Sequence, residues 1–420
     1  MELSVYKSTS WKLLPWDQFR RKVFNLQCRI YDAMRNNDIG KTIKLQKCLI
    51  HSSATHFIAI KECTEFNIGH KTSITDAKLL STFKEKLLLA NLIKKDISNW
   101  KHSPNKKVTL SIDNGINTFF SIPTIEDRII HFIWKLALEP AHEATFFESS
   151  YGFRPGRTIW DMHKTIIAKL TSLSKGSFKK VFILDFSEHF KLSNHNLLIK
   201  KLIFPSKYKK CIYQALQMGI IDGALLPFSY NYSLTTLSFL LLNIAFHGLD
   251  ELLINNLSNN RKVGIFRYGP HFLYISEKDK YTVCSLMKQF FYTIGITNDS
   301  LEGLTCQSLN NFDFLGWSFV IKPSGKIITY PTKAHWIIHK SYIKAILKNS
   351  RNNTFVRLTK IERKMNRWYK YHQFCTISEL SLQIYSLRNW INRSLRLQTN
   401  MSKEERYILV RKIFNSTSSF

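Results

Sequence analysis

The chain has 420 residues, which is long enough for two or three domains with sizeable hydrophobic cores. Hydrophobic residues make up 44% of the sequence and aromatic residues 13%, a composition that excludes an intrinsically disordered chain. Lysine and arginine number 61 against 30 acidic residues, so the formal net charge is +31. A charge of this size favours a polyanionic partner, nucleic acid above all, over a generally basic and inert surface.

The cysteines and the apolar runs set further limits on the class of protein. The seven cysteines are scattered without a CxxC pair or a Cys/His ligand spacing, so we predict neither disulfides nor a zinc site, and a reducing compartment. No signal-peptide pattern opens the sequence. The longest apolar run, Ala224 to Phe246, is interrupted by polar residues, which favours a buried core helix over a membrane span.

Residues 11–64 have the pattern of two amphipathic helices. Apolar residues recur at steps of three and four along the first: Trp16, Phe19, Val23, Leu26, Ile30 and Met34. The tripeptide Asn36-Asn37-Asp38 interrupts this pattern, and its aspartate is placed to cap the second helix. The cations Arg20, Arg21 and Lys22 flank the apolar stripe. They suit either a basic arm that binds RNA or an ordinary helical hairpin with solvated side chains.

Three blocks of distinctive sequence follow, at residues 121–130, 138–140 and 149–157. The first block ends a strand and starts a helix, with two acidic residues in the first helical turn. The third block is a loop whose glycines allow close backbone approach and whose Arg154 and Arg157 can grip phosphates. A purely structural loop is the alternative interpretation.

Three apolar strand patterns follow in the next part of the chain. Lys180–Asp185 is a buried-type strand that ends in an acid. Val263–Phe266 and Phe272–Ile275 predict a hairpin whose turn contains Gly269 and Pro270.

The segment from Trp11 to Asp76 and the three blocks, in this order and spacing, resemble the fingers region of group II intron reverse transcriptase/maturases. The resemblance implies an α+β fold, with a right-hand polymerase-like fingers/palm domain followed by an all-α thumb/maturase domain. We expect an N-terminal helical RNA-binding segment at residues 1–80. A degenerate fingers/palm domain is expected at 81–320, and an α-helical thumb/maturase domain at 321–420.

In that family the strand ending at Asp185 carries the first magnesium-binding aspartate, and a Tyr-X-Asp-Asp hairpin supplies its partners. This chain has Tyr268-Gly269-Pro270-His271 at the hairpin, so both aspartates are missing. Two magnesium ions about 4 Å apart need carboxylates from both strands, and a neutral imidazole is a poor magnesium ligand. We therefore expect no metal, no cofactor and no catalytic residue, with Asp185 as a remnant and the lost site at Gly269, Pro270 and His271.

Other departures from the family pattern point in the same direction. The Pro-Gln-Gly segment is replaced by Tyr232-Ser233-Leu234, and the triphosphate-binding cations near Asn114-Gly115 align with Ile116 and Thr118. A lysine near the leaving group aligns with Glu302. The acids between Asp185 and Glu277 that could substitute are Glu188, Asp222, Asp250 and Glu251, and the last two should lie at the far end of a helix.

The last hundred residues, 321–420, are the most basic part of the chain, with 20 lysines and arginines against four acidic residues. Two helical stripes predict core packing: Leu358, Ile361, Met365, Trp368 and His372, then Leu380, Ile384, Leu387, Ile391 and Leu395. This segment is similar to the family's thumb and maturase-specific domain. The side chains expected to bind RNA phosphates or stack on bases are Lys364, Arg367, Tyr371, Arg388, Arg393 and Arg396.

These features favour an intron maturase that binds group II or related intron RNA, expected to be its own host intron, and stabilises the catalytic fold of that RNA for splicing. The alternatives are an active RNA-directed DNA polymerase with an atypical site, and a general RNA-binding splicing factor for several introns. A homodimer or host splicing factors are further possible partners, and no membrane is expected. The resemblance begins near Trp11, which favours an organelle-encoded protein of the plastid (chloroplast stroma), with the mitochondrion as the alternative.

Overall fold

The computed structural model describes residues 11–66, 82–112, 116–173, 180–185, 194–220, 236–257, 264–278, 280–295, 304–349, 352–399 and 401–415. These residues form a mixed fold of helices and antiparallel strands, which agrees with the predicted α+β class. The chain divides into two compact units. The first comprises residues 1–164 and 184–305, and the second comprises residues 165–183 and 306–420.

The first unit is mostly helical and contains two short hairpins. Its elements are α1 (Trp16–Arg35), α2 (Ile39–Ile50), α3 (Ser53–Lys61), α4 (Phe83–Asp96), β1 (Lys106–Ile112), β2 (Ile116–Ile122), α5 (Ile125–Glu143), α7 (His195–Lys201), α8 (Ser206–Gln217), α9 (Thr236–Phe246), α10 (Leu249–Leu257), β4 (Gly264–Tyr268), β5 (His271–Ser276) and α11 (Lys280–Thr293). Helix α6 (Ile159–Leu173) and strand β3 (Lys180–Asp185) run across the division between the units.

The N-terminal segment contains three α-helices where two were predicted, because the second predicted helix is divided into α2 and α3 between Ile50 and Ser53. The apolar stripe of α1 is buried, and Phe19 stacks on Phe57 of α3 with ring centroids 5.5 Å apart. The predicted break is confirmed, because α1 ends at Arg35 and Asn37 adopts a positive φ of 55°. The Asp38 carboxylate accepts a hydrogen bond from the backbone N–H of Lys41 at 2.8 Å, so it caps α2.

Helix α5 packs against this helical layer, and its first turn is fixed by side-chain hydrogen bonds. The Thr124 hydroxyl accepts from the backbone N–H of Asp127 at 3.2 Å, as an N-cap does. Asp127 is itself fully buried, and its carboxylate accepts from the Trp100 indole N–H at 2.8 Å. The strand-to-helix transition predicted for the first sequence block is confirmed, and Asp127 anchors it.

One helical stretch, Leu237–Asn256, is long and apolar enough to cross a membrane by length and composition alone. Its most apolar window is 67% buried. Burial on this scale is typical of a core helix, the interpretation that the sequence favoured.

The second unit combines an antiparallel strand meander with a helical bundle. Its elements are β6 (Thr305–Ser308), β7 (Asn311–Phe314), β8 (Trp317–Ile321), β9 (Ile327–Pro331), α12 (Lys333–Lys348), α13 (Thr354–Tyr371), α14 (Ser381–Gln398) and α15 (Lys403–Asn415). The strands pair in the order β6-β7-β8-β9. The bundle core contains the two predicted apolar stripes, with Leu358, Ile361, Met365, Leu387 and Ile391 buried.

The segment 321–420 is less uniformly helical than expected, because β9 lies inside it and the helices begin only at Lys333. A tight turn reverses the chain after β8. In that turn the backbone N–H of Gly325 donates to the carbonyl of Lys322 at 2.8 Å, and Gly325 has a φ of 79°. Glycine adopts this conformation without steric cost, so the turn is favourable and the following residues pair with β8.

Candidate functional site

The hairpin of β4 and β5 forms as predicted, with Gly269 and Pro270 as its turn. Tyr268 and His271 are register partners at the last position of the ladder. Gly269 has a φ of 58°, as the first turn residue of a type II′ hairpin requires, and proline at the second turn position suits the negative φ needed there. The turn is therefore stable without an acidic residue at its tip.

Asp185, the last residue of β3, meets this hairpin tip through an imidazole. Its Oδ1 lies 3.1 Å from Nδ1 of His271, with the Asp185 side chain 55% exposed and the His271 side chain 13% exposed. His271 stands where the resemblance would place the second aspartate of the hairpin. The side chain that meets Asp185 is thus a hydrogen-bonding partner of a carboxylate rather than a second carboxylate.

This arrangement differs chemically from a two-metal site. Magnesium prefers oxygen ligands in octahedral geometry, and the hairpin tip offers glycine, proline and an imidazole. Across the parts of the chain that the structure describes, no group of three or more histidine, cysteine or acidic side chains could hold a metal ion. The candidate substitutes Glu188 and Asp222 lie outside the described residues.

The loop at residues 149–157 braces the hairpin through its backbone. The N–H of Arg267 donates to the carbonyl of Ser149 at 3.0 Å, and the N–H of Tyr151 donates to the carbonyl of Arg267 at 2.8 Å. A β-carbon built on Gly152 would lie 2.2 Å from the backbone nitrogen of Gly269. Only glycine fits this contact, so the sequence block Tyr-Gly-Phe-Arg is packed directly against the hairpin turn.

A buried arginine anchors β4 from the inside. Arg267 is 1% exposed, and its Nη1 donates to Oδ1 of Asn243 at 2.8 Å. Asn243 Nδ2 in turn donates to the carbonyl of Gly152 at 2.7 Å. The Asp250 carboxylate lies 3.9 Å from Nε of Arg267 and is also buried. Asp250 is therefore a buried partner of Arg267, and its position does not make it a substitute for the missing aspartates of the hairpin.

The charges of this network are shifted by their burial. Desolvation lowers the pKa of Arg267 to about 10, against the opposing attraction of Asp250. Desolvation likewise raises the pKa of Asp250, and the Arg267 charge is the largest influence in the other direction. In each case the opposite charge of the partner counteracts part of the shift that burial causes.

Arg154 has to be reassigned from phosphate binding to a structural role. It is 6% exposed, and Nε and Nη2 form a two-pronged contact with the Glu143 carboxylate at 2.9 and 2.6 Å. Nη1 donates to the carbonyls of Phe147 and Ser150. Its donors hold the loop together from within. These internal contacts favour the structural-loop alternative at this position.

The other predicted cations of the first unit face outward. Arg157 is half-buried, and its Nη1 donates to the carbonyl of Glu148 at 2.5 Å. Arg20, Arg21 and Lys22 are exposed on α1, opposite its buried stripe. Their side chains are therefore accessible to a phosphate backbone.

In the second unit, Tyr371 also turns out to be structural. Its hydroxyl donates to the carbonyl of Leu315 at 2.6 Å, and its ring stacks on Trp317 with centroids 5.0 Å apart. It ties the end of α13 to the turn between β7 and β8. A ring and hydroxyl engaged in this way are not placed to stack on an RNA base, so this prediction is corrected.

The remaining basic residues of the second unit differ in their accessibility. Arg367, Arg393 and Arg396 are exposed, the last two one turn apart on α14. The Lys364 ammonium lies 4.8 Å from the centroid of a tyrosine ring, and burial is the main cause that lowers its pKa. Arg388 lies 5.3 Å from the centroid of another tyrosine ring. Three of these five cations are therefore exposed, and two are half-buried beside tyrosine rings.

The residues that sequence reasoning missed are Asn243, Glu143 and the buried role of Arg267. Arg267 stands in an otherwise apolar strand pattern, and a buried charge needs a partner. The sequence therefore predicts that Arg267 has a buried partner. It does not identify Asn243 or Asp250 as that partner, because both lie far from Arg267 along the chain.

Comparison with known proteins adds independent information about this scaffold. Residues 11–93 match the N-terminal domain of reverse transcriptase. The N-terminal part of the chain is thus similar to reverse transcriptases, and the β4–β5 hairpin carries no carboxylate at its turn.

Two relatives are similar along almost the whole chain. Maturase-like protein 1 of Euglena gracilis is 27% identical over 418 residues, covering 98% of this chain and 87% of the relative. Maturase-like protein 1 of Euglena longa is 28% identical over 403 residues, covering 94% and 84%. The group II intron-encoded protein LtrA of Lactococcus lactis subsp. cremoris is 31% identical over 140 residues, covering 32% and 22%. These similarities support a relationship of the chain to the group II intron reverse transcriptase/maturase family.

Proposed function

We propose that this protein is an intron maturase, which binds group II or related intron RNA and stabilises its catalytic fold for splicing. The splicing chemistry is left to the intron RNA, and the protein does not act as a reverse transcriptase. In this proposal the first unit is a degenerate fingers/palm domain, and the helices of the second unit form the thumb/maturase domain. The two Euglena maturase-like relatives support this function along the whole length of the chain.

The observation that carries the proposal is the chemistry of the hairpin tip. The hairpin, the loop that braces it and the buried arginine are all in place. The tip nevertheless presents Gly269, Pro270 and His271, and the imidazole faces Asp185 at 3.1 Å. A polymerase of this family must hold two magnesium ions there, and this donor set does not provide the oxygen ligands.

Binding of RNA needs cationic surface rather than a metal site, and the chain has that surface. Arg20, Arg21 and Lys22 on α1 are exposed, and so are Arg393 and Arg396 on α14. With a net charge of +31, such faces attract the phosphate backbone and release its counterions on binding. Affinity from this source falls steeply with salt.

We further propose that the bound RNA is the protein's own host intron and that the protein acts in the plastid stroma. The near full-length similarity to the Euglena maturase-like proteins supports an organellar maturase. The mitochondrion is the alternative compartment. A homodimer and host splicing factors are candidate partners.

The test is splicing of the host intron in vitro at near-physiological magnesium, with and without the purified protein. We expect the protein to accelerate splicing and the Asp185→Ala variant to do so equally well, because Asp185 holds no metal. A triple variant, Arg20→Ala with Arg21→Ala and Lys22→Ala, should splice less efficiently and bind the intron more weakly. Unchanged splicing with and without the wild-type protein contradicts the proposal.

A primer-extension assay with magnesium or manganese separates the maturase from an active polymerase. Synthesis of cDNA by the wild-type protein, abolished by Asp185→Ala, would establish polymerase activity and overturn the proposal. Sequencing the RNA that co-purifies with the protein distinguishes a single host intron from many introns. Enrichment of many introns would instead establish a general splicing factor.

A further inference from the structure

Beside the hairpin turn lies a cluster of three aromatic rings, which we call the aromatic platform: Phe153, Phe239 and Tyr268. The Phe153 ring stacks face to face on Phe239, with centroids 3.6 Å apart and an interplanar angle of 14°. Tyr268 packs at a tilted angle against Phe153, with centroids 5.5 Å apart. The platform therefore joins the bracing loop, α9 and the end of β4 within the first unit.

Phe153 is held in an unfavourable backbone conformation. Its φ is 57°, in the left-handed region that bulky side chains rarely adopt. Conformations of this kind persist only where the surroundings fix them, and they cluster at binding sites. Here the surroundings do fix it, because Gly152 contacts the hairpin backbone on one side and Asn243 holds the carbonyl of Gly152 on the other.

The conformation does not serve to bury the Phe153 ring. With both aromatic neighbours in place, 38% of Phe153 remains exposed. Gly269 is fitted closely to this ring, since a β-carbon on Gly269 would lie 3.0 Å from Cε2 of Phe153. A strained backbone that presents a large apolar ring to solvent suggests a flat, apolar ligand surface.

We propose that the aromatic platform binds an unpaired nucleobase of the bound RNA by stacking on Phe153. Stacking needs a rigid aromatic face and no particular base, and such faces are a standard means by which proteins hold single-stranded RNA. Phe239 behind the ring and Tyr268 beside it hold that face in a fixed orientation. The hairpin tip that has lost its metal ligands therefore retains a role in RNA binding.

This inference rests on the proposed function, because it assumes that RNA reaches this side of the hairpin. It differs from the phosphate contacts of the basic helices, since it predicts recognition of bases. The two can therefore fail separately. If the protein does not accelerate splicing of the host intron, the proposed maturase function fails. The platform is tested separately, by whether binding of RNA depends on the presence of bases.

The experiment compares two fluorescein-labelled probes, a single-stranded oligoadenylate of about ten nucleotides and the abasic phosphate strand of equal length. Phe153→Ala keeps a β-carbon, so the steric restriction on the backbone at this position is unchanged. Because it removes the aromatic ring, it should weaken oligoadenylate binding about tenfold. Binding of the abasic strand should stay unchanged. Phe153→Trp should retain the affinity for oligoadenylate, because it keeps an aromatic face.

Two further variants make the test specific. Phe153→Leu preserves apolar volume without an aromatic face, so it should weaken oligoadenylate binding as Phe153→Ala does. Tyr281→Ala removes an aromatic ring that is 88% exposed elsewhere in the first unit, and it should leave binding unchanged. Wild-type affinity in Phe153→Leu, equal losses for both probes in Phe153→Ala, or an equal loss in Tyr281→Ala would each overturn the proposal. Melting temperatures of all variants identify any loss of folding.

Discussion

Replacing Arg267 by leucine tests whether a buried charge network holds the hairpin. The guanidinium is 1% exposed and lies 3.9 Å from the buried Asp250 carboxylate. It also donates to Asn243 at 2.8 Å. Leucine fills part of the same volume and keeps the backbone hydrogen bonds of β4 to the bracing loop. The variant therefore removes the charge and its donors while the strand pairing can persist.

The expected cost comes mainly from the partner that is left behind. Removing one member of a buried ion pair leaves an uncompensated charge and destabilises by about 3–5 kcal/mol. That is a large fraction of the free energy of unfolding of an ordinary domain, which is about 5–15 kcal/mol. We therefore expect Arg267→Leu to lower the urea midpoint substantially at neutral pH.

The pH dependence identifies Asp250 as the cause. Burial already raises the pKa of Asp250, and removal of Arg267 removes the largest opposing influence, so the pKa should rise further. A carboxyl with a raised pKa in the fold favours folding below its unfolded pKa and loses that contribution as pH rises through its folded pKa. The deficit of Arg267→Leu relative to wild type should therefore shrink between about pH 7.5 and about pH 5.

Urea denaturation of wild type and variant at both pH values measures this difference, and the double variant supplies the control. Adding Asp250→Asn to Arg267→Leu removes the stranded charge, so the double variant should recover much of the lost stability at neutral pH. A deficit that does not change with pH, or a double variant no more stable than Arg267→Leu, would refute the argument.

Two further predictions concern the bracing loop and the basic helices. Gly152→Ala should destabilise by about 1–3 kcal/mol, because its β-carbon would lie 2.2 Å from the nitrogen of Gly269. Gly156→Ala has open space around it and should cost only about 1 kcal/mol from its positive φ; thermal unfolding of both variants checks the order. The double variant Arg393→Ala, Arg396→Ala should lower the slope of log affinity against log salt by about 1.4 for single-stranded RNA. A slope equal to that of wild type in salt titrations would place the RNA elsewhere.

Local sequence signals predicted a large part of this fold. The Asp38 cap, the strand-to-helix transition before α5 and the hairpin turn at Gly269-Pro270 all depend on residues within four positions of one another. Their geometry is decided by backbone hydrogen bonds and by the conformational range of glycine and proline. The apolar stripes of α1, α13 and α14 were likewise predictable, since helical periodicity fixes which face is buried.

What sequence alone could not supply was the partner of each polar side chain. Arg154 is buried because its guanidinium pairs with the Glu143 carboxylate, and the loop motif does not predict that ion pair. Tyr371 has a hydroxyl that finds the carbonyl of Leu315, 56 positions away along the chain. Arginine and tyrosine serve equally well in cores and on RNA-binding surfaces, so residue type and helical face leave both roles open.

The same distinction explains why the hairpin is stable without a carboxylate at its tip. Its position is set by the backbone pairing of Arg267 with the bracing loop, by the close contact at Gly152 and by the buried Arg267 network. None of these contacts needs a carboxylate at the tip, since the only tip residue among them is Gly269, which takes part through its backbone. Carboxylates gathered at one edge repel each other unless a metal ion neutralises them. At this tip, an imidazole nitrogen of His271 lies 3.1 Å from the Asp185 carboxylate, so no second carboxylate adds to that repulsion.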